Sequence, residues 1–205
     1  MKKSFYLTAL VLTLTLTVAC EEENDPVIPK IEQNGLTREI NDLVPQSILD
    51  EMERLGMPIN RGAKPPLVEG RFFVSPLILL SSNRPGDVPG YRFADYITTF
   101  FGQDNDELTI MLDYENGDES GSGLGSFIVG EGRKFSVFVA INAVQSGGTP
   151  AKLVNVFSGY LANGGIEDLY VANFMIDDNG DPQNVWIENG EGRVAYDQDG
   201  FSERL

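Results

Sequence analysis

Leu108-Thr109-Ile110-Met111-Leu112-Asp113-Tyr114-Glu115-Asn116-Gly117 puts Leu108, Ile110, Leu112 and Tyr114 on one side of an extended chain. Thr109, Met111 and Asp113 fall on the other. A period of two is the mark of a half-buried strand. The closing Asn-Gly is the strongest short hairpin signal, because both turn residues must accept positive φ. The same unit recurs outward from this stretch. Phe135, Val137, Val139 and Ile141 form one face, and Leu153, Asn155, Phe157 and Leu161 another. Leu169, Val171, Asn173 and Met175 form a third. Asn163-Gly164, Asn179-Gly180, Asn189-Gly190, Gly130-Glu131-Gly132 and Gln145-Ser146-Gly147-Gly148 punctuate them.

From Gly70 to Leu205 this spacing predicts about eight strands. They fall near 70–75, 91–101, 106–114, 122–129, 133–143, 151–162, 166–176 and 183–196. The last must bend or break at Asn189-Gly190, and 77–82 extends the first past Pro76. No helical run interrupts them, so consecutive hairpins make a meander. The expected fold class is therefore all-β: an antiparallel meander of about eight strands closing into a barrel, which removes both sheet edges. Such a barrel is either filled by side chains or holds one small ligand. A two-sheet β-sandwich shares the same strand pattern and is the alternative.

One short helix should precede the strands, over about 45–55. Ile48, Leu49, Met52 and Leu55 share a helical face. Pro45 suits the first helical position and Gly56 the residue just past the end. Pro58, Pro65 and Pro66 make 57–68 an extended connector. Residues 42–205 then form a single domain.

The 205 residues carry 15 basic and 31 acidic side chains, no His and one Cys. Without His there is no Ser-His-Asp or Cys-His machinery, and the common zinc sites are excluded. A formal charge of −16 argues against a nucleic-acid partner, which demands a basic stripe.

The amino terminus reads as an export signal over residues 1–19. Lys2 and Lys3 precede the uncharged, mostly apolar run Phe5 to Ala19, and Cys20 follows. The run is short for a membrane span, which needs about 20 apolar residues. Thr17-Val18-Ala19-Cys20 resembles the lipobox of bacterial lipoproteins, with Thr17 in place of the family's Leu. The resemblance implies that Cys20 becomes the mature N-terminus and carries acyl chains that hold the protein on a membrane. Glu21-Glu22-Glu23-Asn24-Asp25 reads as a solvated tether. It is also similar to the surface-export signal of Bacteroidetes lipoproteins, which implies an outer-membrane lipoprotein exposed at the cell surface. Residues 20–41 are expected to be the lipidated Cys and an acidic linker, in which Val27, Ile28, Ile31 and Leu36 could dock locally.

Glu69-Gly70-Arg71-Phe72 opens the first strand and resembles the Gly-x-Trp start of lipocalins and other calycins, with Phe72 at the Trp position. Calycins carry a basic residue near the last strand that packs over this aromatic. The resemblance assigns that place to Arg193. Lipobox, acidic tether and Gly-rich meander together are similar to the calycin-like lipoproteins of Bacteroidetes.

Signals for chemistry are sparse. Asp177-Asp178-Asn179-Gly180-Asp181 with Glu188 matches part of a calcium loop, but Pro182 stands where the sharp turn needs Gly. A hairpin turn is the better account and no metal is expected, with a hard cation held at this turn as the alternative. Gly121-Ser122-Gly123-Leu124-Gly125 lacks the Gly-Lys-Ser/Thr of a phosphate cradle. Carboxylate pairs could hydrolyse a glycosidic bond, but nothing selects a pair, and no catalytic residue or cofactor is expected. Aromatic side chains either fill the core or line a pocket. Tyr91, Phe93, Phe101 and Trp186 are the ligand-binding candidates. Phe100 and Phe101 must point to opposite faces of their strand.

The expected function is a lipid-anchored, non-enzymatic envelope β-barrel that binds a small apolar molecule or a glycan. The alternative is an interaction module with a filled barrel, docked on another envelope protein. A carboxylate-based hydrolase ranks behind both.

Overall fold

The computed structural model describes residues 30–117, 119–123, 126–144 and 149–205. The expected signal peptide, Cys20 and the acidic run after it lie outside the described residues, as do Leu124-Gly125 and Gln145 to Gly148. Among the described residues, no helix is long and apolar enough to cross a membrane.

Among the described residues two short helices come first, α1 Arg38–Leu43 and α2 Gln46–Arg54. The sequence predicts only the second. In α1 the Thr37 side chain caps the helix by accepting the Ile40 N–H at 3.1 Å. Six residues are too few to show a helical period, so α1 is invisible to pattern reading and begins inside the expected linker. Leu36 and Ile40 are fully buried. In α2, Pro45 is the N-cap rather than the first helical residue, and Gly56 takes φ 92° just past the end.

Among the described residues twelve strands follow. They are β1 Ala63–Lys64, β2 Gly70–Val74, β3 Leu77–Ser82, β4 Tyr96–Asp104, β5 Thr109–Asn116 and β6 Glu119–Ser122. The second half comprises β7 Ser126–Glu131, β8 Lys134–Ala143, β9 Ala151–Ala162, β10 Gly165–Asp177, β11 Gly192–Asp197 and β12 Phe201–Arg204. Strands β2, β4, β5, β7, β8, β9, β10 and β12 are neighbours in that order, and β12 returns to β2. All eight pairings are antiparallel. The strands thus form a closed ring, not two stacked sheets.

At one end of the ring, two strands change name without changing place. β3 continues β2 past Pro76, and β11 leads into β12. There β11 stands between β10 and β3. The predicted strand at 183–196 is corrected accordingly. Only its last residues are extended, as β11, and β12 follows after a turn at Gln198 to Gly200. Residues 178–191 form a loop, in which Asn179 and Asn184 adopt φ 52° and 53°. The predicted strand at 91–101 likewise starts only at Tyr96. Tyr91 and Phe93 precede it and bond to β3: Leu79 N–H donates to Tyr91 O at 2.8 Å, and Phe93 N–H to Leu77 O at 2.9 Å.

The period of two sorts side chains into two cores. Phe72, Phe100, Phe135, Val137, Phe157, Ile166 and Leu169 point inward and fill one half of the ring. Phe138, Val154, Val156, Ala172, Phe174 and Val194 point outward from β8 to β11. Helices α1 and α2 cover that outer face with Ile40, Leu49 and Met52. Both cores are made by the same strands, so β8 to β10 are buried on two sides.

The filled end is closed by an aromatic cluster. Phe100 lies 6.1 Å from Phe72, 6.3 Å from Phe135 and 5.8 Å from Phe157, ring to ring. The guanidinium of Arg204 sits 4.7 Å above Phe72, and its Nη1 donates to Glu69 O at 2.5 Å. The cation that covers this aromatic is therefore Arg204 on β12, not Arg193. Gly70 has φ 148°, and the space its Cβ would need is taken by Arg204 Nη1. Gly70, Phe72 and Arg204 thus fix one another at the point where the ring closes.

Candidate functional site

Beyond Phe157 the interior opens. A cavity of about 830 Å³ occupies the other half of the ring, within the usual size of small-molecule sites. Leu77, Tyr96, Val171 and Ala195 line it and also belong to the inner core, so they form its floor. Tyr96 stacks on Tyr114 at 5.8 Å with the rings 10° from parallel. Ile141, Leu153 and Met175 extend the apolar wall outward.

A polar row crosses this wall. Strand register sets Asn155 on β9 opposite Asn173 on β10, and Asn173 opposite Arg193 on β11. Asn173 Nδ2 donates to Asn155 Oδ1 at 2.5 Å. Asn155 is only 7% exposed. Burying an amide without full hydrogen bonding costs on the order of 1–3 kcal/mol. The pair satisfies one donor and one acceptor, leaving the Asn155 amino group and the Asn173 carbonyl without a protein partner among the described residues. Asn116 Oδ1 also lines the cavity and has none.

Arg193 ends the row at the mouth. Its Nε and Nη2 donate to the two oxygens of Asp87 at 2.6 and 2.9 Å. That guanidinium holds the Asp87 carboxyl below the usual carboxylate range. The pair ties the 83–90 loop to β11. Ser82 Oγ, at 2.8 Å from Asp87 Oδ2, reinforces the tie. Arg84 lies beside it, exposed, with no side-chain hydrogen bond or ion pair among the described residues.

The 178–191 loop forms the opposite lip. Asp178 N–H donates to Asn189 Oδ1 at 2.8 Å, and Gly180 N–H to Asp178 Oδ1 at 2.8 Å. Asp181 Oδ2 accepts the Trp186 N–H at 2.6 Å. These side chains satisfy loop backbone, as a turn requires. Among the described residues no group of His, Cys, Asp or Glu is arranged to hold a metal ion. Trp186 Nε1 donates to Thr149 O at 2.8 Å, which sets the indole at the rim.

Two of the four aromatic candidates meet here. Phe93 and Trp186 line the cavity. Tyr91 touches Phe93 edge-on at 5.1 Å but is 62% exposed and lies outside the lining. Phe101 lies on the outer face of β4, 37% exposed, while Phe100 points inward. The alternation of Phe100 and Phe101 is thus as the sequence predicts, with Phe101 facing away from the cavity. The polar row was the feature sequence reasoning passed over. Asn155 and Asn173 stand on the inward faces of successive strands, and two amides on otherwise apolar faces were the available signal. No family model, curated protein or solved structure matches the chain.

Proposed function

We propose that the protein is a lipid-anchored, non-enzymatic envelope β-barrel that binds a small, largely apolar molecule or glycan in the open half of its ring. The observation that carries this is the cavity of about 830 Å³ with an apolar floor and a half-satisfied Asn155–Asn173 pair on its wall, Asn155 buried and Asn173 partly so. A barrel evolved only as a rigid scaffold would gain stability by filling that half with apolar side chains. Aromatic walls at Phe93, Tyr114 and Trp186 suit an acyl chain, a ring system or a sugar face. The calycin-like reading is supported by the closed eight-strand meander and by Arg204 over Phe72. The anchor rests on Cys20 and the run before it.

The chain has a single Trp, and it stands at the rim, so its emission reports on the cavity alone. Saturable quenching or enhancement of Trp186 emission by amphiphiles or oligosaccharides is the expected result. Ala195→Phe, which fills the floor, should weaken that binding at least tenfold while the circular dichroism of the barrel is kept. If no member of broad lipid and glycan panels perturbs Trp186, the binding reading fails.

A further inference from the structure

We propose that the cavity takes an amphiphile with an oxyanion head, its apolar tail on the floor and its head between Arg84 and Arg193. This rests on the cavity being a binding site and adds the chemical class of its occupant. The protein has twice as many acidic as basic side chains, 31 against 15. The described residues lining the cavity reverse that balance. They include Arg84 and Arg193 and no Asp or Glu. Asp87 offsets the charge of Arg193, so Arg84 supplies the net positive charge at the mouth, a local departure from the acidic whole.

The geometry gives the cations a use that structure alone does not exhaust. Arg193 spends Nε and Nη2 on Asp87, and its Nη1 makes no further hydrogen bond among the described residues. Asp87 thereby orients the guanidinium while leaving one nitrogen for a ligand. Arg84 has its whole fork available. Planar guanidinium groups match carboxylate, sulfate and phosphate oxygens in paired hydrogen bonds. The register places Asn173 beside Arg193 and Asn155 beside Asn173, so the amide donor of Asn155 continues the line of donors around the wall. Below that line the wall is Leu77, Val171 and Ala195, while Leu153 and Met175 stand on the rim side of it. A neutral sugar would use the amides but leave Arg84 and the spare Nη1 of Arg193 unengaged. An entirely apolar ligand would leave the whole polar row unpaired.

Titration of Trp186 emission in the full chain tests this, with decanoate, 1-decanol and decyl maltoside as probes below their micelle concentrations. Decanoate should bind about tenfold more tightly than 1-decanol at pH 7.5, in line with a charge-assisted hydrogen bond. Raised salt should narrow the difference. Arg84→Gln, at an exposed position that leaves the barrel intact, should bring decanoate down to the level of 1-decanol without changing 1-decanol itself. If 1-decanol or decyl maltoside binds as tightly as decanoate, and Arg84→Gln changes nothing, the head-group assignment is overturned while the binding cavity stands. If none of the three probes perturbs Trp186, the head-group assignment falls, and the broad lipid and glycan panels decide the binding reading separately.

Discussion

Asp197 on β11 is 2% exposed; Ser202 Oγ donates to its Oδ2 at 2.6 Å, while Oδ1 has no partner among the described residues. Burial, and secondarily the charge of Asp199, pushes its carboxyl up to about 6, against the opposing pull of Ser202. A raised acid holds its proton in the folded state where the unfolded chain has released it. Stability from this group is therefore full below about pH 4, declines as pH rises towards 6, and stays lost above. Asp197→Asn should match the wild type near pH 4 and exceed it by roughly 2–3 kcal/mol at pH 7.5. Urea unfolding at the two pH values measures this; a variant weaker than wild type at pH 7.5 would refute it. Phe72 and Arg204 offer a second test at this scale. The cycle of Phe72→Leu with Arg204→Gln should show a coupling of about 1 kcal/mol. The cycle with Arg193→Gln should show none, because Arg193 faces Asp87 at the other end. Equal couplings would undo the assignment of Arg204 to the ring closure.

Among the elements, α2 shows how the outer core works. Ile48, Leu49 and Met52 are buried against β8 to β11. Met52→Ala should cost about 2–5 kcal/mol, as for other fully buried large side chains. Glu51→Gln, on the opposite face beside Arg54 and Asn83, should cost less than 1 kcal/mol. Thermal unfolding that ranks them in reverse would contradict the docking. The same elements show what could be read in advance. Strands β5, β8, β9 and β10 were legible because one side of each faces a core and the other does not, or faces a different one. The helical stripe of α2 was legible for the same reason. Residues 178–191 were not, since Asp178, Asp181 and Asn189 satisfy loop backbone through side chains, and that leaves no period. Nor was the partner of Phe72: it depends on which residue of β11 or β12 meets β2, and only the turn at Gln198 to Gly200 decides it. The amide row was legible as two faces but not as a row, because register across β9 and β10 sets the alignment.

At the scale of the whole molecule, one ring is used in two ways. The half near Arg204 is solid with Phe72, Phe100, Phe135 and Phe157, and supplies stability. The half near Trp186 is left open, and its inner wall carries polar groups that no packing argument requires. In an acidic protein, the described lining carries Arg84 and the Asp87-paired Arg193 and no carboxylate. The separation lets the filled half bear the cost of the open one. The most direct test of this division is a crystal structure of the full chain grown with decanoate. The account predicts ligand density inside the ring, its tail on Val171 and Ala195 and its head within hydrogen-bonding distance of Arg84 or Arg193. A ring whose open half has collapsed, with Trp186 packed onto Asn155 and no ligand between them, would contradict it.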